Sequence, residues 1–145
     1  MLLGKLIMVL LSGLFWRMGG SDKYSKLFRR IGSAACMSYI VGSLWAVPFI
    51  FWGCTSYFGW INRFLPVKDK EREYWWNFLA ENLVIQMTVL FVNPSVKSAI
   101  LAVIFASIVT FGKVWMDENL TKADIKSEIW HGSGNALGLL INILN

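Results

Sequence analysis

From Ile31 to Asn62 the chain runs thirty-two residues without one Asp, Glu, Lys, Arg or His. A membrane-crossing helix needs about 20 consecutive apolar residues, so this run alone exceeds the requirement. Composition agrees: 56% of the 145 residues are hydrophobic, 16% are charged, and eight are Trp. Ordinary soluble domains carry about 45–50% apolar and about 25% charged residues. The expectation is an all-α, polytopic membrane helical bundle of four to five transmembrane helices with a short interfacial helix. By length it is a single integral membrane domain over residues 1–145.

Apolar periodicity places the helices near 2–18, 31–54, 71–93, 94–116 and 123–144. In the first, Lys5 and then the apolar stretch from Leu6 to Trp16 imitate a signal peptide, but no A-x-A-like cleavage site follows, so it reads as a retained membrane helix. Ser33-Ala34-Ala35-Cys36 mimics a lipoprotein processing site and is discounted because Arg29-Arg30 precede it. Trp16 is expected at the interface, Arg17 at the helix C-terminus where the dipole favours a cation, and Gly19-Gly20 as the stop. Ser21 to Arg30 forms the basic interfacial helix, capped by Ser21-Asp22. Pro48 is expected to kink the second membrane helix, and Tyr57, Phe58 and Trp60 to mark its far interface. On one continuous helix Cys36 and Cys54 would lie about 27 Å apart, too far for a disulfide. The 63–73 connector alternates in sign and reads as solvated. Lys97 and Lys113, at the two ends of the fourth membrane helix, are expected to snorkel outward, and Thr121 or Asp124 to cap the last helix. With five crossings, eight Lys and Arg fall on one side and six on the other, too even a split to set orientation.

The final segment carries a polar stripe on an apolar helix. Asp124, Glu128, His131, Asn135, Gly138 and Asn142 follow at spacings of three or four, while Ile125, Ile129, Leu137, Leu140, Ile141 and Leu144 fill the other faces. Such a seam does not face lipid. Glu81, with Asn77 and Thr88 on its own face and Asn82 and Gln86 on a second polar edge, poses the same problem in the third membrane helix.

Three chemistries are compatible with these residues. The candidate catalytic residues are Glu128, His131 and Glu81: His131 would carry a proton, with Glu128 one turn earlier orienting it. Arg17, Arg29, Arg30 and Asn135 are the candidate ligand-binding residues, the arginines for an anionic headgroup. A metal held by Glu81, Glu128 and His131 is conceivable, but a di-iron bundle needs a second Glu-x-x-His and the chain has one histidine. No metal and no cofactor are therefore expected. No G-x-S-x-G, H-E-x-x-H or P-loop is present. The net charge of +5 suits anionic membrane lipids; a basic face on a soluble domain, which nucleic acid would require, is missing.

Trp16-Arg17-Met18-Gly19-Gly20 closing a short first membrane helix, and His131-Gly132 opening a late small-residue-rich one, resemble a group of small multi-pass membrane proteins encoded by bacteriophages. The resemblance implies location in the bacterial cytoplasmic (inner) membrane and carries over no catalytic residue. It favours a non-catalytic role: self-assembly as a homo-oligomer, holin-like permeabilisation, or binding of a host membrane protein. The alternative is an intramembrane enzyme or binding site for an anionic lipid headgroup, centred on Glu128 and His131 with Arg17.

Overall fold

A computed structural model of the protein describes residues 1–17, 23–55 and 70–145, with the side chains of residues 23, 70–74, 123 and 124 outside that description. The expectations for Gly19-Gly20, Ser21-Asp22, the Tyr57-Phe58-Trp60 belt, most of the 63–73 connector and the side chain of Asp124 lie outside the described residues. Among those described there are six α-helices and no strand: α1 (Leu2–Arg17), α2 (Lys23–Val41), α3 (Val47–Thr55), α4 (Lys70–Met87), α5 (Val96–Asn119) and α6 (Ala123–Leu144). A 3-10 turn, Thr88–Phe91, extends α4. The all-α expectation therefore stands. Among the described residues α5 is the one helix long and apolar enough, on that measure alone, to cross a membrane. The others are short, or open on charges, or carry buried polar side chains.

The long apolar run is not one kinked helix. It breaks at Gly42, whose φ of +74° lies in the left-handed region that only glycine enters at little cost. The chain reverses there and returns as α3. Pro48, expected to kink a continuous helix, instead occupies the second position of α3, where its missing N–H costs nothing. Upstream, the basic stretch is not a separate surface helix either; it is the first turns of α2, continuous with the apolar part. The reversal brings Cys54 against Met37, with the two sulfurs 4.0 Å apart, so the separation expected for Cys36 and Cys54 on one helix does not apply. Both thiols are free and buried. A Cβ at Gly42 would meet nothing closer than the Tyr39 carbonyl at 4.0 Å, so Gly42→Ala should cost only the left-handed backbone, about 1–2 kcal/mol. The unfolding midpoint in mixed micelles measures this.

At the next turn Ser95 caps α5, its hydroxyl accepting from the Ser98 N–H at 3.1 Å. The last helix differs: its N-cap position is Lys122, in a left-handed conformation and without a side-chain capping bond, and not the expected Thr121.

Side-chain contacts fix the helix directions. Along the α1–α2 pair Gly4 lies by Tyr39, Ser12 by Ser33 and Phe15 by Gly32. Along α5–α6 Lys113 meets Ser127, Val109 lies by Gly134 and Ser98 meets Asn142. Both pairs are antiparallel, as are α2–α3 and α4–α5. Consecutive helices alternate throughout, so the Gly42 turn, the 93–95 turn and residues 1 and 145 share one end. The C-terminus of α1, the start of α2, the C-terminus of α3, the start of α4 and the α5–α6 junction share the other.

The interior divides along its length. Toward the Gly42 end, Met37, Ile40, Ile50, Ile85, Val89 and Leu139 belong to the apolar core. Toward the other end lie the buried charged side chains, Arg30, Glu81 and Lys113, whereas the polar groups buried at the Gly42 end, Thr88, Ser98 and Asn142, are uncharged. Outside, the order is reversed: Leu3, Leu10 and Leu14 of α1 and Ile100, Ile104 and Phe111 of α5 are exposed. α6 packs against α1, α2, α4 and α5, which turns its polar seam inward.

Candidate functional site

Two polar assemblies fill the charged half of the bundle. The first is a buried hydrogen-bond network around Asn82 of α4. Its Nδ2 donates to Thr110 Oγ1 at 2.8 Å, and that hydroxyl donates onward to the Ala106 carbonyl at 2.7 Å. Asn82 Oδ1 accepts from Asn135 Nδ2 at 2.8 Å and lies 2.9 Å from His131 Nε2. Since Oδ1 can only accept, Nε2 carries the donated proton; the neutral imidazole then has its lone pair on Nδ1. Gln86 Nε2 donates to the carbonyl and to the Oδ1 of Asn135, at 2.9 and 3.0 Å. Asn82, Gln86, His131 and Asn135 are all fully buried. The edges of Trp16 and Phe78 close on the imidazole, with centroids 4.6 and 5.2 Å away. Ser12 ties α1 to this region through Ser33 at 2.6 Å and the Gly132 carbonyl at 3.0 Å.

The second assembly is charged. Lys113 is 5% exposed; its ammonium donates to Asp117 at 2.8 Å and Ser127 at 3.2 Å and lies 4.9 Å from the Phe78 ring. It does not snorkel outward, because α6 supplies partners on its inner side. The charges of Glu128, Arg30 and Glu81 all act on it. Arg29 donates to the carbonyls of Trp16 and Arg17, at 3.2 and 3.4 Å, and so caps α1. Arg30 donates to the Cys54 carbonyl at 3.5 Å, near the end of α3, and its guanidinium stacks 4.4 Å over Trp16. Two adjacent arginines thus meet two helix C-termini, where the dipole favours cations.

Between these groups lies a basin of about 60 Å³, lined by Trp16, Lys26, Arg29, Arg30 and Glu128. A water needs about 10–15 Å³ by such a measure, so the space admits several waters or one small oxyanion. Three cations against one carboxylate leave it positively charged. Trp16 Nε1 is buried with no hydrogen-bond partner among the described residues.

The sequence candidates separate accordingly. Arg29, Arg30 and Glu128 line the basin. Arg17 is exposed at the end of α1, and Asn135 belongs to the Asn82 network. His131 is held by Asn82, not by Glu128, and does not line the basin. Glu81 is buried and lies within electrostatic reach of Lys113 and Cys54. Among the described residues no three His, Cys, Asp or Glu side chains gather as a metal site, so Glu81, Glu128 and His131 do not converge. The sequence does not mark Trp16 or Lys26 as site residues: Trp16 reads as interfacial but is 2% exposed. Its only signal is that Val9, Ser12, Gly13 and Trp16 form one buried face of α1.

No protein family, curated protein or solved structure matches this chain.

Proposed function

We propose that the chain is an integral helical-bundle protein of the bacterial cytoplasmic membrane that binds a phosphate-bearing headgroup in the Trp16, Lys26, Arg29, Arg30 and Glu128 basin. Membrane embedding is supported by the reversed distribution of polarity. Asparagine, glutamine, histidine and lysine side chains are buried and hydrogen-bonded inside, while leucine, isoleucine and phenylalanine cover the outside. Water would favour the opposite arrangement, and hydrocarbon requires this one. Shorter helices such as α1 are accommodated by local thinning or tilt of their neighbours.

The observation that carries the binding reading is the basin itself. Guanidinium groups suit phosphate oxygens because their donors form a planar fork, and Lys26 adds a point charge. Glu128 matches a hydroxyl or ammonium group beside the phosphate. The reading is one of binding rather than catalysis, because the sole imidazole has its Nε2 committed to Asn82 and does not line the basin. Self-assembly around the α6 seam has less support: His131, Asn135 and Asn142 are hydrogen-bonded within one chain. Docking of a host membrane protein on an apolar outer face would leave the basin unchanged.

Lipid retention measures the proposal. Purified protein is reconstituted into phosphatidylethanolamine discs with and without phosphatidylglycerol, and bound lipid is read by native mass spectrometry. Lys26→Gln, which removes no helix cap among the described contacts, should weaken retention about tenfold, one charge-assisted contact. Displacement by inorganic phosphate would identify a soluble phosphate source, and resistance to it a lipid. Equal retention by wild type and by a Lys26→Gln, Arg30→Gln variant that still folds would overturn the reading.

A further inference from the structure

The alternating helix directions gather charge at one end of the bundle. Arg17 closes α1 there, Lys26, Arg29 and Arg30 open α2, Lys70 and Arg72 open α4, and Lys113, Lys122 and Lys126 flank the α5–α6 junction. At the other end the described residues include two cations, Lys5 and Lys97. The one reversal at Gly42 makes this so: with a single helix through 31–54, every later connector changes sides and the cations divide almost evenly.

Exposed tryptophans lie toward both ends of the apolar surface. Trp75, Trp76 and Trp115 are exposed near the charged end, and Trp45 is exposed beside the Gly42 turn. Tryptophan favours the level of the headgroups. From Val96 to Trp115, α5 is about 28 Å long at 1.5 Å per residue, matching a hydrocarbon core of about 30 Å. Lys and Arg in short connectors are retained on the cytoplasmic side, whereas Asp and Glu contribute little to this bias. The acidic neighbours of the basin therefore do not cancel the asymmetry.

We infer that the charged end faces the cytoplasm, with residues 1 and 145 on the opposite side, so that the basin takes its phosphate group from the cytoplasmic side. This rests on the membrane reading above, and on the basin only for its last clause. A lipid occupant would then come from the cytoplasmic leaflet, a soluble one from the cytosol.

Two single substitutions at exposed positions test the orientation. Asn145→Cys lies at the sparsely charged end and Glu118→Cys at the charged end; the native thiols are buried, and the parent chain gives the background. Cells with a permeabilised outer membrane are treated with an impermeant maleimide before and after the cytoplasmic membrane is opened. Asn145→Cys should label in both conditions, and Glu118→Cys should lose its labelling when the cytoplasmic membrane is intact. The reverse pattern would overturn the orientation while leaving the basin reading to the lipid-retention test. Equal labelling of both positions in intact cells would overturn the placement of the two ends on opposite sides. Release of the parent chain from membranes by alkaline carbonate would overturn the membrane reading itself.

Discussion

Gly132→Ala is expected to lower stability by about 1–3 kcal/mol, the usual cost of forcing extra volume into a packed interior. The reason is local and steric. A Cβ at this position would lie 2.6 Å from the Ser12 carbonyl oxygen, 2.9 Å from Trp16 Cβ and 3.0 Å from Gly13 Cα. Two of those atoms are backbone, so no rotamer change relieves the clash and α1 must move as a unit. Moving it disturbs the Ser12 bonds to Ser33 and to the Gly132 carbonyl. It also disturbs Trp16, which touches His131 on one side and Arg30 on the other. The consequence reaches the basin, because Trp16 forms one wall of it. Gly134→Ala is the control: its Cβ would meet a Val109 methyl at 3.2 Å, a side chain able to yield. The unfolding midpoint in mixed micelles should fall clearly for Gly132→Ala and much less for Gly134→Ala. Equal midpoints would show that α1 and α6 are not held at this close approach.

The seam of α6 was legible because helical periodicity survives in the sequence: spacings of three and four put Glu128, His131, Asn135 and Asn142 on one face whatever surrounds them. That they turn toward protein also followed, since hydrocarbon would not solvate them. Their partners were not legible. His131 and Asn82 are 49 residues apart, and nothing local distinguishes Asn82 from Asn77 as the residue that will face α6. The Gly42 reversal was hidden for a different reason. In a charge-free run every position is apolar enough for a membrane helix, so a turn leaves no gap in the pattern, and Pro48 looks like the stronger breaker. Proline fits the first turn of a helix, however, while a left-handed residue cannot continue one. Reading that run as one helix moves the later connectors to the wrong end and erases the charge asymmetry. Trp16 and Lys113 were misplaced by a shared logic: aromatic rings and lysines near helix ends normally lie at interfaces. Here the ends of α1 and α5 meet polar partners across the bundle and turn inward instead.

Asn82→Leu is expected to destabilise the bundle by about 2–5 kcal/mol, three hydrogen bonds at about 0.6–1.7 kcal/mol each on the membrane reading proposed above. Leucine has a similar size, so the loss reflects bonding rather than a cavity. Thr110, His131 and Asn135 each lose a partner, but unequally. Thr110 still donates to Ala106 and Asn135 still donates to the His131 carbonyl. His131 has no such reserve, because its Nδ1 lacks a hydrogen-bond partner among the described residues, so its buried N–H bears most of the penalty. Thr110→Val removes two bonds, the one accepted from Asn82 and the one donated to the Ala106 carbonyl, and should cost about 1–2 kcal/mol. His131→Leu removes one, together with the edge contacts to Trp16 and Phe78. Because Asn82 and His131 share a bond, the double variant should lose less than the sum of the single losses, by about 0.5–3 kcal/mol. Strict additivity in that cycle, or a loss for Asn82→Leu no greater than for Thr110→Val, would show that the network does not hinge on Asn82. The Thr110 variant bears on function. If the network only holds the helices together, Thr110→Val should leave phosphate-lipid retention intact at temperatures where the protein stays folded, since Asn82, Gln86, Thr110, His131 and Asn135 do not line the basin.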